Sequence, residues 1–231
     1  MEGWKKVGCP NNFAQKYYKN GIDELLVMDI VASLYNKKIN ENFLNFLKNE
    51  IYIPITFGGG IRSVEDASKI LSNGADKICI NTAAVHNPNL ITEIAKKFGT
   101  QAISVAIDVC LNQSGEYFIA TEFGRNLHDK DINGWIEEIQ ERGAGEIIIT
   151  SIQRDGTLIG FDMDFFKKLY KNISVPFIIG GGFGDINQLS DLFNLKYIDG
   201  VLVGTAFHKN ELSVEDCKKF IFENGYETRK I

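Results

Sequence analysis

The chain has 231 residues, of which 44% are hydrophobic and 24% charged, a composition typical of a soluble globular protein with a large core. Its net charge of −5 argues against a nucleic-acid-binding surface. We find no signal peptide and no apolar run near the roughly 18 residues of a membrane span, so we expect a cytoplasmic protein. Four cysteines lack the spacing of metal ligands and should be reduced thiols: Cys9, Cys79, Cys110 and Cys217.

Short apolar runs alternate with helical patterns along the chain. Most of the runs are nearly continuous in apolar residues, which is typical of parallel strands buried on both faces. Helices between them begin at capping residues such as Ser63 and Ser213 and end at glycines such as Gly74 and Gly225. The alternation predicts right-handed βαβ units and a parallel sheet. The predicted strands are residues 24–30, 53–57, 77–81, 102–108, 146–150, 175–180 and 200–204.

Three segments recur in the same order with nearly constant spacing. The glycine cluster at Gly58 recurs at Gly180, and "DELLVMDIV" at 23 recurs as "GEIIITSIQ" at 145, both offsets being 122 residues. "DKICINTAA" at 76 recurs as "DGVLVGTAF" at 199, an offset of 123. This internal repeat predicts one α/β domain over residues 1–231, made of half-barrels of about 1–100 and 101–231. Four βα units per half would give a (β/α)8 TIM barrel with two-fold symmetry.

The first strand of such a barrel has no candidate in the sequence. The counterpart of the strand at 102–108 would lie 122 residues earlier, before Met1. The opening residues, through Gly21, have the pattern of a loop that leads into a helix. We therefore predict seven barrel strands, with the first strand absent or replaced and unpaired strand edges beside the gap.

Polar residues follow the strands at the end where barrel enzymes place their active sites. Asp108 ends an apolar strand, which favours a general acid or base over a capping or loop-positioning role. Thr150 and Ser151 follow the sixth strand and could hydrogen-bond a substrate. Asp155 and Gly156 come just after them, where Asp155 is either a ligand to a substrate hydroxyl or part of a simple turn.

The repeated glycine clusters predict two phosphate sites on opposite sides of the barrel mouth. Glycines let backbone N–H groups approach a phosphate, and the helix behind adds its positive end. The alternative is a pair of tight turns that need positive φ. A substrate phosphorylated at both ends would bridge the two sites. Their residues are Gly59, Gly60, Asn81 and Thr82 on one side and Gly181, Gly182, Gly204 and Thr205 on the other.

Charged residues begin three of the predicted strands. Glu24, Lys77 and Glu146 start the second, fourth and sixth barrel strands. Alternate strands contribute to the same interior layer, so these side chains could form one ring at the bottom of the barrel. The alternatives are a polar gate across the barrel axis and exposed salt bridges that contribute little.

Several stretches resemble the cyclase subunit of imidazole glycerol phosphate synthase, from about Gly8 to the C-terminus. The sister isomerase of histidine synthesis shares the half-barrel pattern, but "INTAAVHNP" and "TSIQRDGT" are more similar to the cyclase. The resemblance implies a TIM barrel without metal or organic cofactor, which forms a heterodimer with a glutaminase subunit. The stretches are "GIDELLVMDIVAS", "FGGGI", "GADKICINTAAVHNPNLI", "VAID", "RGAGEIIITSIQRDGT" and the later "GGG".

The resemblance also implies a reaction and roles for residues. Ammonia released by the glutaminase would cross the barrel core and attack a bisphosphorylated formimino carboxamide ribotide (PRFAR), giving imidazole glycerol phosphate and aminoimidazole carboxamide ribotide (AICAR). Asp108 matches one of the two catalytic aspartates of this lyase, and Asp76 matches a position that meets the glutaminase. The family's strand-one aspartate and arginine have no counterpart here. Matches to the ammonia gate are Glu24, Lys77 and Glu146, and those to the phosphate sites are Gly60, Asn81, Thr82, Gly181, Gly182 and the "VGTAF" turn.

Three functions therefore stand open at this point. The first is the cyclase of histidine biosynthesis. The second is a catalytically altered relative that passes ammonia from a glutaminase to a sugar amidotransferase in surface-glycan or flagellin modification. The third, a phosphosugar isomerase, is weaker because it too would need a carboxylate on the first strand.

Overall fold

The computed structural model describes residues 7–29, 41–169 and 172–229, and the architecture below refers to them. Nine strands are present: β1 Leu25–Met28, β2 Ile55–Gly58, β3 Lys77–Ile80, β4 Ile103–Leu111, β5 Tyr117–Thr121, β6 Asn126–His128, β7 Glu146–Ser151, β8 Phe177–Gly180 and β9 Gly200–Leu202. The helices are α1 Pro10–Lys19, α2 Glu41–Glu50, α3 Val64–Ser72, α4 Thr82–His86, α5 Asn89–Phe98, α6 Ile132–Glu141, α7 Met163–Phe166, α8 Gln188–Phe193, α9 Thr205–His208 and α10 Val214–Glu223.

Seven of the strands form a curled parallel sheet in the order β1-β2-β3-β4-β7-β8-β9. Each pairs with its neighbour in sequence once the hairpin β5–β6 is set aside, as in an α/β barrel. The predicted barrel class and the seven strands are thus confirmed, although β1 stops at Met28 and Ile30 of the predicted strand lies outside the described residues. No described strand pairs with the outer edge of β1 or of β9. No described strand therefore fills the position between β9 and β1 that a first barrel strand would occupy.

The core forms because both faces of the sheet are covered. Strand residues such as Ile78, Val105 and Ile149 are fully buried beneath the helices. The helix ends follow the predicted chemistry, since the Ser63 hydroxyl accepts a hydrogen bond from the Asp66 N–H at 3.1 Å. The Ser213 hydroxyl likewise accepts from the Asp216 N–H at 3.0 Å in the last helix.

The gap between β9 and β1, which we call the seam, is bridged by side chains. Near the bottom, Lys218 Nζ lies 2.6 Å from Asp23 Oδ1 and also donates to the Arg229 carbonyl. The Arg229 guanidinium in turn donates to the carbonyl of the residue before Asp23, at 2.7 Å. Near the top, Tyr17 of α1 hydrogen-bonds His208 of α9, with 2.5 Å between the hydroxyl oxygen and Nδ1.

The hairpin β5–β6 corrects one sequence prediction. Asp108 does not end its strand, because β4 continues to Leu111 and its extension pairs antiparallel with β5, Asp108 standing opposite Ala120. The tight turn between β4 and β5 depends on Gly115, whose φ is +83°. Asp108 nevertheless lies at the mouth, because it is also in register with Thr150 near the end of β7.

Candidate functional site

A cavity of about 410 Å³ opens at the carboxyl ends of the first strands, and we call it the mouth cavity. The structure brings together in it one predicted catalytic residue and one predicted phosphate loop. Residues from the hairpin close another part of its wall. Its lining includes Gly59, Gly60, Asn81, Thr82, Asp108, Glu122 and Phe123.

The Asp108 carboxyl is tuned by its surroundings. The pKa of Asp108 is raised from 3.8 to about 7, first by burial and then by the charge of Asp155, while a hydrogen bond from Asn81 opposes both. That bond runs from Asn81 Nδ2 to Asp108 Oδ2 at 2.9 Å. Burial also raises the pKa of Asp155, against the effect of the Gly156 N–H. A carboxyl group with a pKa near neutrality can both accept and return a proton, as general acid–base catalysis requires.

The first glycine loop has little room for any other residue. Gly59 and Gly60 have φ of +102° and +71°. A Cβ at Gly59 would lie 2.1 Å from the Asp29 carbonyl oxygen, so the tight-turn explanation holds for this position. The loop still lines the mouth cavity, beside Asn81 and Thr82. Asn81 Oδ1 is buried, and no donor in the described part of the chain hydrogen-bonds it. Asn81 therefore keeps an unused acceptor at the wall of the mouth cavity.

The second glycine cluster packs against the loop after β7. Gly181 and Gly182 have φ of +93° and +102°. A Cβ at Gly181 would lie 2.5 Å from the Ser151 carbonyl oxygen, and one at Gly182 would lie 2.2 Å from that of Gly160. Gly160 N–H also donates to the Gly182 carbonyl at 2.8 Å. Close backbone packing therefore explains these glycines, and the phosphate role of Gly181 and Gly182 stays a prediction.

The other residues of the second side differ in how accessible they are. Gly156 and Thr205 are neighbours, since a Cβ at Gly156 would lie 3.6 Å from the Thr205 hydroxyl, whereas no described heavy atom lies within 4 Å of a Cβ at Gly204. Ser151 is fully buried, and its hydroxyl donates to Asp162 at 3.3 Å. An internal bond therefore engages the Ser151 hydroxyl, and its contact with a substrate stays a prediction.

At the bottom of the barrel, the three predicted ring residues meet. Lys77 Nζ lies 2.8 Å from Glu24 Oε2 and 2.5 Å from Glu146 Oε2. Burial alone would lower the pKa of Lys77, but hydrogen bonds to Glu146 and then Glu24 outweigh it and raise the pKa. The Ser104 hydroxyl donates to the other oxygen of Glu146. Because Glu146 is only 5% exposed, the surface-salt-bridge alternative does not hold for the Lys77–Glu146 pair.

The ring adjoins a second cavity of about 920 Å³, which reaches from the bottom of the barrel to the seam. Its wall combines the ring residues with apolar side chains from the inner face of the sheet, including Leu26, Ile148 and Ile178. Thr56 also lines it, and its buried hydroxyl lacks a partner among the described residues.

Asp76, which is predicted to contact the glutaminase, accepts a backbone hydrogen bond that recurs in the second half of the barrel. Asp76 Oδ2 accepts a hydrogen bond from the Ile55 N–H at 2.8 Å, at the start of β2. Asp199, its counterpart in the second half, accepts from the Phe177 N–H at 2.9 Å, at the start of β8. Each carboxylate ties the beginning of one strand to the turn before the next.

Among the residues of the mouth cavity that were not predicted from the sequence, four could contact a ligand. Arg62 and His86 line this cavity, and Arg62 could have been found because only Ile61 separates it from the glycine cluster. Glu122 and Phe123 belong to the β5–β6 turn, which follows a strand that the sequence analysis did not assign.

The described ranges hold neither a membrane-spanning helix nor a metal-binding cluster. No helix there is long and apolar enough to cross a membrane. No group of three or more His, Cys, Asp or Glu side chains there could hold a metal ion.

A parallel α/β barrel with a half-buried carboxyl and a glycine loop at the carboxyl ends of its strands is the arrangement of a barrel enzyme. The family described as "Histidine biosynthesis protein" matches residues 3–213, and the chain belongs to this family. The resemblance drawn from its motifs is confirmed.

Relatives similar to the chain carry the name "Imidazole glycerol phosphate synthase subunit HisF". The Streptococcus mutans protein is 38% identical over 223 residues, covering 96% of this chain and 89% of the relative. The Sulfolobus acidocaldarius protein is 40% identical over 222 residues, covering 96% and 88%. The Legionella pneumophila protein is 42% identical over 190 residues, covering 82% and 90%.

Proposed function

We propose that the chain is the cyclase subunit of imidazole glycerol phosphate synthase, a lyase of histidine biosynthesis. It would use ammonia to convert PRFAR into imidazole glycerol phosphate and AICAR. The observation that carries the proposal is Asp108, held by Asn81 in a cavity shared with a glycine loop, in a chain of the histidine biosynthesis family. The names of the relatives favour this function over delivery of ammonia to a sugar amidotransferase.

Asp108 is the proposed proton-transfer group. Asn81 donates to one carboxylate oxygen at 2.9 Å, and the other oxygen would act on a bound substrate. Since its pKa is raised to about 7, the group can take a proton in one step and return it in a later one near neutral pH. The charge of Asp155 acts on Asp108 and raises its pKa. We propose that Asp155 contacts a substrate hydroxyl.

The two glycine loops are proposed to hold the two phosphates of the substrate. On one side, backbone N–H groups of Gly59 and Gly60 and the Thr82 hydroxyl would bind one phosphate. On the other side, the corresponding groups belong to Gly181, Gly182, Gly204 and Thr205. The two sides of the mouth would stretch the substrate across the barrel, with its reacting carbon atoms above Asp108. We also propose that the repeat-related halves form one domain, a proposal that the matching Asp76 and Asp199 bonds support.

The bottom face is proposed to receive ammonia from a glutaminase subunit. The ring of Glu24, Lys77 and Glu146 lines part of the 920 Å³ cavity, whose apolar wall suits a small neutral molecule better than an ion. The Lys77 ammonium is held by two carboxylates, so the ring can act as a gate that opens when a partner displaces Glu24, the most exposed of the three. Asp76 lies on the same wall and is the proposed partner contact.

Turnover of PRFAR with an ammonium salt, without glutaminase, tests the cyclase proposal. Asp108→Asn should lower kcat by at least about 100-fold, the usual contribution of a general acid or base. Asp191→Asn, a change at an exposed carboxylate of α8, should keep the parent rate. Full activity in Asp108→Asn, or no turnover by a folded parent chain, would contradict the proposal. The second result would instead favour the ammonia-delivery alternative.

A further inference from the structure

The turn between β5 and β6 has an unusual backbone. Glu122 and Phe123 both have left-handed φ, +50° and +61°, and the turn is closed by a hydrogen bond from the Gly124 N–H to the Thr121 carbonyl. Hairpin turns with two left-handed central residues ordinarily use Asn-Gly, because other side chains are strained there. This turn therefore keeps two side chains at a conformational cost that the usual sequence would avoid.

Hydrogen bonds hold the turn between β5 and β6 against Asn81 and Thr82 of the first predicted phosphate site. Glu122 N–H donates to the Thr82 hydroxyl at 3.2 Å. One residue before the turn proper, the Ala120 carbonyl accepts a longer hydrogen bond from Asn81, at 3.4 Å. Both Glu122 and Phe123 are half-buried and line the mouth cavity. Backbone strain that the surroundings hold in place is a common feature of ligand-binding sites, so the position of this turn points to a function.

The negative charge of Glu122 favours a phosphate ester that carries hydroxyl groups over a bare phosphate anion. A carboxylate beside a phosphate site repels the phosphate, so it weakens binding of a bare anion. The same carboxylate is a strong acceptor of hydrogen bonds from hydroxyl groups. A ligand that carries a phosphate at one end and hydroxyls on the adjoining carbons would satisfy the glycine loop and Glu122 together. Phe123, on the same turn, supplies an apolar surface against the carbon chain.

We propose that Glu122 is a specificity-determining residue that accepts hydrogen bonds from the hydroxyls of a phosphorylated sugar chain, and that Phe123 packs over that chain. The inference rests on the proposed function only in placing a phosphate at Gly59, Gly60 and Thr82. It adds a residue that distinguishes an open-chain sugar phosphate from other phosphate esters.

Binding of two small phosphates separates the parts of this proposal. Ribulose 5-phosphate carries the hydroxyls, whereas n-pentyl phosphate has a chain of similar length without them. Calorimetry or NMR titration should show the parent chain binding ribulose 5-phosphate about 10-fold more tightly, as expected for hydrogen bonds to a charged acceptor. Glu122→Gln should bring the two dissociation constants within about 3-fold of each other, because ribulose 5-phosphate loses hydrogen bonds to a charged acceptor while n-pentyl phosphate is no longer repelled.

A second variant distinguishes recognition from simple folding. The double change Glu122→Asn with Phe123→Gly installs the usual turn, and it should melt at or above the parent temperature yet lose the preference for ribulose 5-phosphate. Lys196→Gly is the matched control, because it relieves left-handed φ at an exposed residue outside the cavity and should keep the preference.

Each outcome bears on a different part of the proposal. If Glu122→Gln keeps the parent preference while both phosphates bind, the role of Glu122 is refuted and the phosphate site stands. If neither phosphate binds to the parent chain, the phosphate site of the proposed function is refuted together with the role of Glu122.

Discussion

Asp108→Asn should stabilise the protein while it abolishes the proposed catalysis. The substitution keeps the shape of the side chain, and the amide oxygen can still accept the hydrogen bond that Asn81 donates to Asp108. What it removes is a charge that burial and Asp155 disfavour. The variant therefore lacks a group whose ionisation destabilises the folded state. Its gain in the free energy of unfolding should depend on the fraction of Asp108 that is ionised in the folded and in the unfolded chain.

The size of the effect follows from the pKa. The ordinary value is 3.8 and the folded value is about 7, so between these limits the folded chain binds a proton that the unfolded chain has released. The free energy of unfolding contributed by Asp108 therefore falls as pH rises through this window, by about 1.4 kcal/mol per pH unit. The whole window amounts to about 4 kcal/mol, and water entering the cavity should reduce this to about 2–4 kcal/mol.

Urea unfolding of the parent and Asp108→Asn at about pH 4.5, 6 and 7.5 measures this difference. The variant's advantage should widen from the first pH to the last and then level off. Asp191→Asn, at an exposed carboxylate of α8, should show no such trend. An advantage that stays constant with pH, or that shrinks, would refute the claim that Asp108 is buried with a raised pKa.

Three other predictions concern the ring, the partner face and the hairpin. Lys77→Met should cost about 3 kcal/mol in urea unfolding, because it leaves the buried Glu146 charge unpaired, and adding Glu146→Gln should restore most of it; a double variant no better than the single would contradict the pairing. Asp76→Ala and Asp199→Ala should each cost about 1.5 kcal/mol, but only Asp76→Ala should weaken glutaminase binding measured by calorimetry; equal weakening would argue against the docking face. Tyr117→Phe should cost about 1 kcal/mol in the same unfolding assay, since its hydroxyl donates to a buried carboxylate, and no loss would mean that this bond contributes nothing.

The barrel and its ring could be predicted from the sequence because both depend on regular periods. Parallel strands covered by helices are continuous apolar runs, and these runs gave the seven strands in their spatial order. The ring followed from the first residues of alternate strands, because Glu24, Lys77 and Glu146 had to enter one layer at the bottom.

The hairpin could not be predicted in this way. β5 is five residues long, and it pairs with the extension of β4 on one side and with the three-residue β6 on the other. The apolar run that ends near Asp108 looked complete, so the extension and the turn at Glu122 were missed. The burial of Ser151 could not be predicted either, because the sequence does not show that a residue at the end of a strand faces the interior, where Asp162 accepts its hydroxyl hydrogen.

The seam joins parts of the chain that are remote in sequence, since Asp23 and Lys218 are 195 positions apart. Every pairing in the parallel sheet links consecutive barrel strands, so ordering the seam costs more chain entropy than forming any one of those pairings. It should therefore form last as the protein folds. Among the described residues no strand pairing crosses the seam, which is bridged by contacts of α1, Lys218 and Arg229, so the barrel can widen there without separating any two paired strands. Hydrogen exchange should accordingly begin along this line, at β1 and β9, while β4 and β7 remain protected.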